Sequence, residues 1–308
     1  MRQVVLFFVS QFVSEAGMSD RQEPLKLQGG VAVITGAGSG IGRGLAHRLA
    51  REKMSLALAD VDSAGLTETM EQLGGTSASL SCHLVDVADR GRMERFAAEV
   101  MERHGRVTLL MNIAGVAMHG TFEQLTLEEF DWLMKINFYG VLYGVAHFLP
   151  ILRKQPRAHI VNMSSIYGII APAGQTAYSA SKFAVRGFTE ALMHELDGSS
   201  VSISCVHPGG IRTPIAKRAR VSGKSDPKAR DVTLDMFDVL AQMPPEKAAD
   251  RIVDGVLANE PRILVGGDAV QLDRMQRLMP IKYWDFLVRR SRKLMRVIGE
   301  RRAKSTQA

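Results

Sequence analysis

Cysteine is scarce in this chain, which has two cysteines among 308 residues. Cys82 and Cys205 both lie in apolar, strand-like runs, so we expect buried free thiols rather than a disulfide, as is usual in a reducing compartment. Internal repeats and low-complexity segments are also lacking, and 46% of the residues are hydrophobic. These features exclude a disordered chain, a collagen-like repeat and a disulfide-stapled miniprotein. We expect a cytoplasmic globular protein.

Long hydrophobic runs are lacking as well. The N-terminal run Val4–Val9 is soon interrupted by polar residues, whereas a membrane-spanning helix needs about 20 apolar residues. A signal peptide beginning at Arg2 would have little charge and a poor cleavage site. We therefore interpret residues 1–24 as an N-terminal extension, either a frayed segment or residues that precede an initiation at Met18.

An excess of positive charge is absent from most of the chain, although the net charge is +7. Residues 271–308 hold 11 Lys/Arg and three Asp/Glu, a balance of +8, so the other 270 residues carry 28 basic and 29 acidic groups, or −1. The high pI is therefore a property of the tail and says nothing about the main domain.

From residue 31 onward, short apolar runs alternate with helical patterns. This alternation predicts the α/β class, with a doubly wound parallel sheet of about seven strands in a single domain over 25–270, followed by a basic tail over 271–308. An irregular stretch, 213–243, predicts a partly helical flap. The predicted strands are Val31–Thr35, Ser55–Asp60, Ala78–Val85, Val107–Asn112, Ala158–Met163, Val201–Val206 and Pro261–Val265, and the predicted helices are about 41–52, 64–73, 89–104, 126–153, 176–197 and 245–258.

A glycine-rich run, Thr35–Gly42, follows the first predicted strand and opens the first predicted helix. Its glycines allow a tight turn and close approach of the backbone to a pyrophosphate, while the helix N-terminus offers N–H donors and positive potential to phosphates. Such a run is weak evidence alone, but here it has the required strand–turn–helix context. It predicts a dinucleotide site formed by Gly36, Ser39, Gly40, Ile41 and Gly42.

An acidic residue stands where such a site needs one. Asp60 ends the second predicted strand, 18 residues after Gly42. Its carboxylate can accept hydrogen bonds from the adenosine ribose hydroxyls and would repel a 2′-phosphate, which favours NAD over NADP. Arg43 could soften this preference but lies one residue inside the helix, and Ser39 offers no charge for a 2′-phosphate. The alternative is that Asp60 only caps the next turn.

Two further loops should reach the same crevice. Asp86-Val87 follows the third strand, where a side chain can approach the adenine, and Asn112-Ile113-Ala114-Gly115 follows the fourth. In a doubly wound sheet, ligands bind at the carboxyl ends of the strands where the strand order reverses. We therefore expect Asp86, Val87, Asn112, Ala114 and Gly115 to contact the cofactor.

Side chains suited to proton transfer follow the fifth predicted strand. Ser165 lies at its end, Tyr178 comes thirteen residues later, and Lys182 four residues after that. Positions i and i+4 share a helix face, so the phenol and the ammonium would point into one space. A cation beside a phenol favours phenolate and lowers its pKa from about 10, which makes Tyr178 a usable general acid/base. Each residue alone could be structural.

Taken together, these residues resemble the short-chain dehydrogenase/reductase family over about residues 25–270. The glycine-rich run, the Asn-x-Ala-Gly loop, Asn137, Ser165, the Tyr-x-x-x-Lys pair and Pro208-Gly209 occur in the family's order. The loop departs slightly, because Met111-Asn112 stands where the family usually has two Asn. The basic tail is a larger departure, since many relatives end near the seventh strand.

The resemblance implies a Rossmann fold, a hydride transfer between an alcohol and a nicotinamide, and roles for individual residues. Tyr178 would be the catalytic acid/base, and Lys182 would lower its pKa and bind the nicotinamide ribose. Ser165 would orient the substrate, and Asn137 would support a water-linked proton relay. It also implies a homodimer or homotetramer through helices 126–153 and 176–197, and cofactor contacts near the nicotinamide from Pro208, Gly209, Ile211 and Thr213.

The predicted pocket wall is mostly apolar, which favours a lipophilic secondary alcohol or ketone. A 3-oxoacyl-type carbonyl reductase is an alternative enzyme, because cations on the flap could attract an acyl thioester. These cations could instead simply be solvated, and the preference for NAD that Asp60 indicates also weighs against this enzyme. The wall comprises Val116, Ala117, Met118, Ile166, Tyr167, Ile170, Ala171, Pro172 and Ala173, with His119 beside it, and the flap cations are Lys217, Arg218, Arg220, Lys224, Lys228 and Arg230.

The basic tail and the absence of other motifs bear on partners. Tyr283, Leu287, Leu294 and Ile298 recur at helical spacing among many Lys/Arg, a pattern that suits an anionic membrane surface or a helix packed on the main domain or a neighbouring subunit. We expect no metal, because no cluster has ligand spacing, and no nucleic acid. A catalytically silent NAD-binding or membrane-attached scaffold protein remains the alternative of another class.

Overall fold

A computed structural model describes residues 25–75, 78–223 and 239–289, together with residues 235 and 237. The strands within these residues are β1 Val31–Thr35, β2 Ser55–Asp60, β3 Leu80–Leu84, β4 Leu109–Asn112, β5 Met118–His119, β6 Ala158–Met163, β7 Val201–Pro208, β8 Arg220–Val221 and β9 Arg262–Val265. Seven of them form one sheet in the order β3-β2-β1-β4-β6-β7-β9, with every pairing parallel. This confirms the predicted doubly wound sheet.

Helices connect the strands and cover the sheet on both faces. They are α1 Gly40–Arg51, α2 Ser63–Leu73, α3 Arg90–His104, α4 Leu127–Met134, α5 Gly140–Leu152, α6 Thr176–Glu195, α7 Pro245–Leu257 and α8 Gly267–Leu278, with a π turn at Lys135–Tyr139 and a 3-10 turn at Ile166–Gly168. Apolar residues of α1, α2 and α7 pack on one face of the sheet, and those of α3, α5 and α6 pack on the other. All five residues of β1 are buried, as expected for a strand covered on both sides.

The strand order places the carboxyl ends of β1 and β4 side by side. The chain moves outward from β1 through β2 to β3, then returns to place β4 on the other side of β1. Connections from these two strands leave in opposite directions, so a crevice opens between them at the carboxyl edge. The glycine-rich run and the Asn112–Gly115 loop both follow strands that end there.

Several predicted boundaries shift by one or two residues, and one predicted helix divides. The span 126–153 is not one regular helix, because the π turn separates α4 from α5. Thr126 begins α4 with a reciprocal capping box to Glu129, which satisfies two amides at the helix start. The π turn contains Asn137, and a π turn within a helix often marks a functional site.

Two strands, β5 and β8, and one helix, α8, were absent from the prediction. β5 and β8 form a separate two-stranded parallel sheet, which joins the loop after β4 to the beginning of the flap. The helix α8 crosses the expected boundary at residue 270, so the main domain and the tail are continuous there. Flap residues 224–234 and tail residues 290–308, which include Leu294 and Ile298, lie outside the described residues.

Beyond α8, the chain continues into a helical stretch at 283–289. Its Tyr283 and Leu287 pack against a small apolar cluster that includes Ile166, Ile170 and Ala269. The described part of the tail therefore has one face packed on the main domain. Over the described ranges, no helix combines the length and the hydropathy that crossing a membrane requires. Cys82 and Cys205 are free thiols, as predicted, but only Cys205 is buried, whereas Cys82 is partly exposed.

The face of the sheet under α3 and α5 should dominate stability. Phe96 and Phe148 are fully buried there and meet edge to face, with ring centroids 5.6 Å apart. We expect Phe96→Ala to lower the free energy of unfolding by about 3–5 kcal/mol, through lost burial and the cavity left behind. Phe122→Ala, at a phenylalanine that is 63% exposed, should change it by less than about 0.5 kcal/mol. Urea denaturation measures both, and equal losses would contradict the assignment of this core.

Candidate active site

The glycine-rich turn is so tight that side chains would not fit at its glycine positions. A Cβ at Gly36 would lie 2.8 Å from the Cα of Ala114, and one at Gly42 would collide with the carbonyl oxygen of Gly36. Gly36 and Gly40 also have positive φ angles of 72° and 54°, which a residue with a side chain adopts only with strain. The conformation of the turn therefore requires glycine at these positions, as expected of a turn that brings its backbone close to a phosphate.

The start of α1 offers amides to an anion. Ser39 occupies the N-cap position but makes no side-chain capping hydrogen bond within the described structure, and the first turn holds no acidic residue. Uncapped amides at a helix N-terminus, together with the helix dipole, suit a phosphate group. Ile41 lies next in the turn and packs against the core of the sheet.

Asp60 has two roles in this geometry. One carboxylate oxygen accepts a hydrogen bond from the amide of Gly38 at 2.9 Å, and the other accepts one from the amide of Asp62 at 3.0 Å. Asp60 thus holds the glycine-rich turn and the following turn together while remaining half-buried at the crevice. Arg43 is engaged elsewhere: it donates to the carbonyl oxygen of Gly38 at 2.6 Å and pairs with Glu68 at 2.6 Å.

Thr35, for which the sequence analysis predicted no individual role, fixes the loop after β4. The Thr35 hydroxyl accepts hydrogen bonds from the amides of Ile113, at 3.0 Å, and Ala114, at 3.2 Å. This contact ties the loop to the end of β1 and brings Ala114 against Gly36. Thr35 was visible as the first residue of the glycine-rich run, but its link to a loop 78 residues away depends on the strand order.

Two expected cofactor residues turn their side chains away from the crevice. The buried Asn112 amide donates to the side-chain oxygen of Asn162 at 2.9 Å, inside the sheet. Val87 is buried, and its side chain lies so close to Gly140 that a Cβ there would be 2.7 Å from it. Both side chains are packed inside the protein, whereas the neighbouring Asp86 is exposed.

The expected catalytic residues converge at the carboxyl edge, near β4 and β6. The ammonium of Lys182, which is 3% exposed, donates to the carbonyl oxygen of Met163 at 3.0 Å and lies 5.7 Å from the centre of the Tyr178 ring. Gly115 passes beside it, since a Cβ there would lie 3.4 Å from the ammonium and 3.2 Å from the Asn137 side-chain oxygen. Only a residue without a side chain leaves this space open.

Asn137 connects three segments of the site. Its amide nitrogen donates to the Val116 carbonyl oxygen at 3.0 Å and to the Ser181 hydroxyl at 3.1 Å, and its oxygen accepts from the Val116 amide at 2.8 Å. The side chain thereby fixes the loop after β4 against α6. The π turn gives it this position, and no pattern in the sequence indicated that turn.

The pKa of Tyr178 differs from the sequence-based expectation. Burial raises the pKa of the phenol to about 12, and the hydrogen bond with Ser165 opposes this only in part. Burial also lowers the pKa of Lys182 to about 8. The predicted lowering by Lys182 is therefore not found in this structure: burial disfavours both charged forms, and the ammonium donates to a carbonyl group rather than to the phenol.

The turn at 208–210 is held by Asp268, which the sequence analysis missed. The Asp268 carboxylate accepts a hydrogen bond from the amide of Gly210 at 2.6 Å, and it fills the space beside Gly209. Asp268 lies in the first turn of α8, beyond the motifs that predicted the site. Ile211 is buried and bridges to Met243, and Pro208 ends β7.

The beginning of the flap lies across this crevice. The Thr213 methyl group would be 3.1 Å from a Cβ at Gly40, so the flap touches the glycine-rich turn. Two of the flap cations are engaged within the chain: Arg218 pairs with Asp62 at 3.3 Å, and Arg220 stacks 3.8 Å from the centre of the Trp132 ring. Lys224, Lys228 and Arg230 lie outside the described residues. His119, beside this crossing, hydrogen-bonds with Gln175 at 3.1 Å.

Known proteins resemble this chain in sequence and in fold. The short chain dehydrogenase family model matches residues 30–222. SadH from Mycobacterium tuberculosis (strain ATCC 25618 / H37Rv), which is named as an oxidoreductase, is 41% identical over 259 residues, covering 83% of this chain and 93% of its own. The 3-oxoacyl-(acyl-carrier-protein) reductase FabG of Thermotoga maritima is 30% identical over 249 residues, covering 81% of this chain and 98% of its own.

Among solved structures, a short chain dehydrogenase/reductase from Burkholderia phymatum in complex with NAD superimposes with a TM-score of 0.76. It is 30% identical and covers 83% of this chain and 95% of its own. The family model and these relatives show an oxidoreductase, with the α/β fold described above. The chain belongs to the short-chain dehydrogenase/reductase family.

Proposed function

We propose that this protein transfers hydride between a lipophilic secondary alcohol, or its ketone, and NAD. The observation that carries the proposal is the convergence of Ser165, Tyr178 and Lys182 beside a glycine-rich turn at one edge of the sheet. When bound, the nicotinamide would supply the hydride acceptor or donor. The main domain, over about residues 25–270, would carry the activity, and α8 would connect it to the tail.

The crevice fits a dinucleotide. The glycines at 36, 38, 40 and 42 have little room for a side chain, the start of α1 has uncapped amides, and Asp60 lies beside them at the end of β2. Asp60 would accept hydrogen bonds from the adenosine ribose hydroxyls, because each of its oxygens has lone-pair capacity beyond the one amide it already accepts from. This arrangement supports NAD over NADP, since a 2′-phosphate would meet a carboxylate.

Tyr178 would exchange the proton with the substrate oxygen. A phenol with a pKa of about 12 is protonated at neutral pH, which is the form that donates a proton to a carbonyl oxygen during reduction. In the direction of alcohol oxidation, the Ser165 hydroxyl would favour the phenolate, because its hydrogen bond with the phenol lowers the pKa of Tyr178. Ser165 would also hold the substrate oxygen, and Asn137 would position Val116 and Ser181 around the site.

An apolar substrate agrees with the residues near Tyr178. Met118 is buried in the cluster against which Tyr178 packs. Tyr167 meets the Tyr178 ring edge to face with centroids 6.0 Å apart, and Tyr167 itself packs on the buried Ile166 and Ile170. A 3-oxoacyl-type reductase is the second candidate, favoured by the likeness to FabG. Asp60 weighs against it, and the internal contacts of Arg218 and Arg220 leave these cations less suited to bind an acyl thioester.

The oligomeric state and the scaffold alternative follow from the same residues. A homodimer or homotetramer through α4, α5 and α6 would follow from the family resemblance, and Phe183 and Tyr139 are exposed on this side of the chain. A catalytically silent scaffold is disfavoured, because the complete set of proton-transfer residues would have no role in it.

The first test of the proposal is Tyr178→Phe. We expect turnover to fall by at least about 100-fold, because general acid–base catalysis contributes about that much and phenylalanine has no proton to exchange. The binding of NAD should change little, since the turn and Asp60 hold most of it. Steady-state NADH absorbance with a panel of secondary alcohols gives turnover, and protein fluorescence gives NAD affinity. Tyr143→Phe, which removes the hydroxyl of a tyrosine on α5, is the matched control and should retain turnover. Retained turnover in Tyr178→Phe would show that Tyr178 has no part in the mechanism.

The second test concerns the cofactor. We expect the wild-type enzyme to prefer NAD, and Asp60→Asn to lower kcat/KM with NAD by about tenfold or more, since hydrogen bonds to a charged group are lost. The value with NADP should rise as repulsion is relieved. Asp62→Asn removes the same charge two residues away and keeps a capping side chain, so it should leave the preference unchanged. A wild-type preference for NADP would refute this role of Asp60.

The third test concerns the tail. Residues 290–308 carry seven Lys/Arg and one Asp/Glu, and nearby Leu278 and Ile281 are exposed by 81% and 88%. We propose that these residues bind an anionic membrane surface, where charge attraction and apolar burial add. The full chain should bind phosphatidylserine vesicles at low salt and release them at high salt. Deleting 290–308 should abolish binding while preserving NAD-linked turnover; binding that is unaffected by the deletion would contradict the proposal.

A further inference from the structure

The C-terminal segment, residues 279–289, lies against the loop that follows Ser165. Tyr283 and Leu287 pack on the apolar cluster formed by Ile166, Ile169, Ile170 and Ala269. The loop over 166–174 is called here the substrate loop. Its contact with the part of the chain beyond α8 joins residues more than 110 positions apart in the sequence. The segment is therefore anchored at the wall of the proposed active site.

One polar contact reinforces this packing. The Ala171 amide donates a hydrogen bond to the Tyr283 hydroxyl at 3.2 Å. Ala171 marks the point at which regular hydrogen bonding stops: the Ile170 amide still donates to the Ile166 carbonyl oxygen, whereas residues 171–175 form neither helix nor strand. Pro172, the next residue, has no amide hydrogen to donate. The Tyr283 hydroxyl therefore binds the substrate loop at the point where the loop's backbone leaves the hydrogen-bonded turn.

The held loop reaches the reacting centre through its first residues. The Tyr167 amide donates to the Ser165 hydroxyl at 3.1 Å, and the Tyr167 ring meets the Tyr178 ring at 84°. Ile166 and Ile170, the residues on which Tyr283 packs, flank Tyr167 along the loop. A shift of the loop at Ala171 would thus change the surface beside Tyr178 that an apolar substrate contacts.

We propose that Tyr283 is a positioning residue that fixes the outer end of the substrate loop and so determines affinity for long apolar substrates. The inference rests on the proposed function. Tyr283 touches no reacting atom, so its hydroxyl should affect the binding of a substrate that extends along the loop more than the proton transfer at Tyr178. A short alcohol, which occupies only the space near Tyr178, should not respond to it.

The experiment compares Tyr283→Phe with the wild-type full-length protein. The substitution keeps the ring that packs on the cluster and removes only the acceptor of the Ala171 amide. We expect KM for 2-octanol to rise about fivefold, as the loss of one neutral hydrogen bond predicts. The kcat for 2-octanol, both constants for 2-butanol, and NAD affinity should stay within about twofold of the wild-type values. Phe286→Ala, a half-exposed aromatic residue on the same segment, is the matched control and should leave all of these values unchanged.

A second readout does not require turnover. Hydrogen–deuterium exchange of peptides covering 165–175 should accelerate in Tyr283→Phe and not in Phe286→Ala, since the Ala171 amide loses its acceptor. Unchanged exchange, a parallel rise of KM for both alcohols, or a fall in kcat would each overturn the proposal. Faster exchange in a protein whose wild type oxidises neither alcohol would refute the proposed substrate class and leave the positioning of the loop intact.

Discussion

A parallel sheet covered by helices on both faces leaves only the ends of its strands available to a ligand. This constraint governs the arrangement of every candidate site residue in the protein. The cores under α1 and α7 and under α3, α5 and α6 occupy both faces, and the reversal of strand order between β1 and β4 opens a crevice at the carboxyl edge. The candidate site residues consequently lie in loops and helices that follow the carboxyl ends of the strands.

The confinement has an electrostatic consequence at Lys182. An ammonium with 3% exposure needs polar partners, because a buried unpaired charge is costly. The Met163 carbonyl oxygen supplies one at 3.0 Å, and the Asn137 oxygen lies just across Gly115. Burial nevertheless lowers the pKa of Lys182 to about 8 and raises that of Tyr178 to about 12. At neutral pH the Tyr178 phenol is therefore neutral, whereas Lys182 still carries its ammonium and loses the proton more readily than an exposed lysine would.

The sequence predicts the fold well because its signals are local. Each strand is a short apolar run, and the glycine-rich turn is recognisable from eight consecutive residues. The same holds for Tyr178 and Lys182, whose spacing on one helix decides their proximity. The missed features depend on distant contacts: Thr35 with Ala114, Asp268 with Gly210, and Tyr283 with Ala171. The rise in the Tyr178 pKa was also missed, since spacing places a cation nearby but gives no measure of burial.

The position of α8 has a thermodynamic consequence. Asp268 at its start holds the turn at 208–210, and the segment that continues beyond its end holds the loop at Ala171. This helix has 12 residues and is about 18 Å long. It therefore contacts both the turn at 208–210, on the cofactor side, and the apolar cluster of the substrate loop. If ordering the turn at 208–210 through this helix lowers the free energy needed to order the substrate loop, then ordering the loop must lower the free energy needed to order the turn by the same amount. Cooperativity between the two ligands would then originate outside the Rossmann sheet, in the connection to the tail.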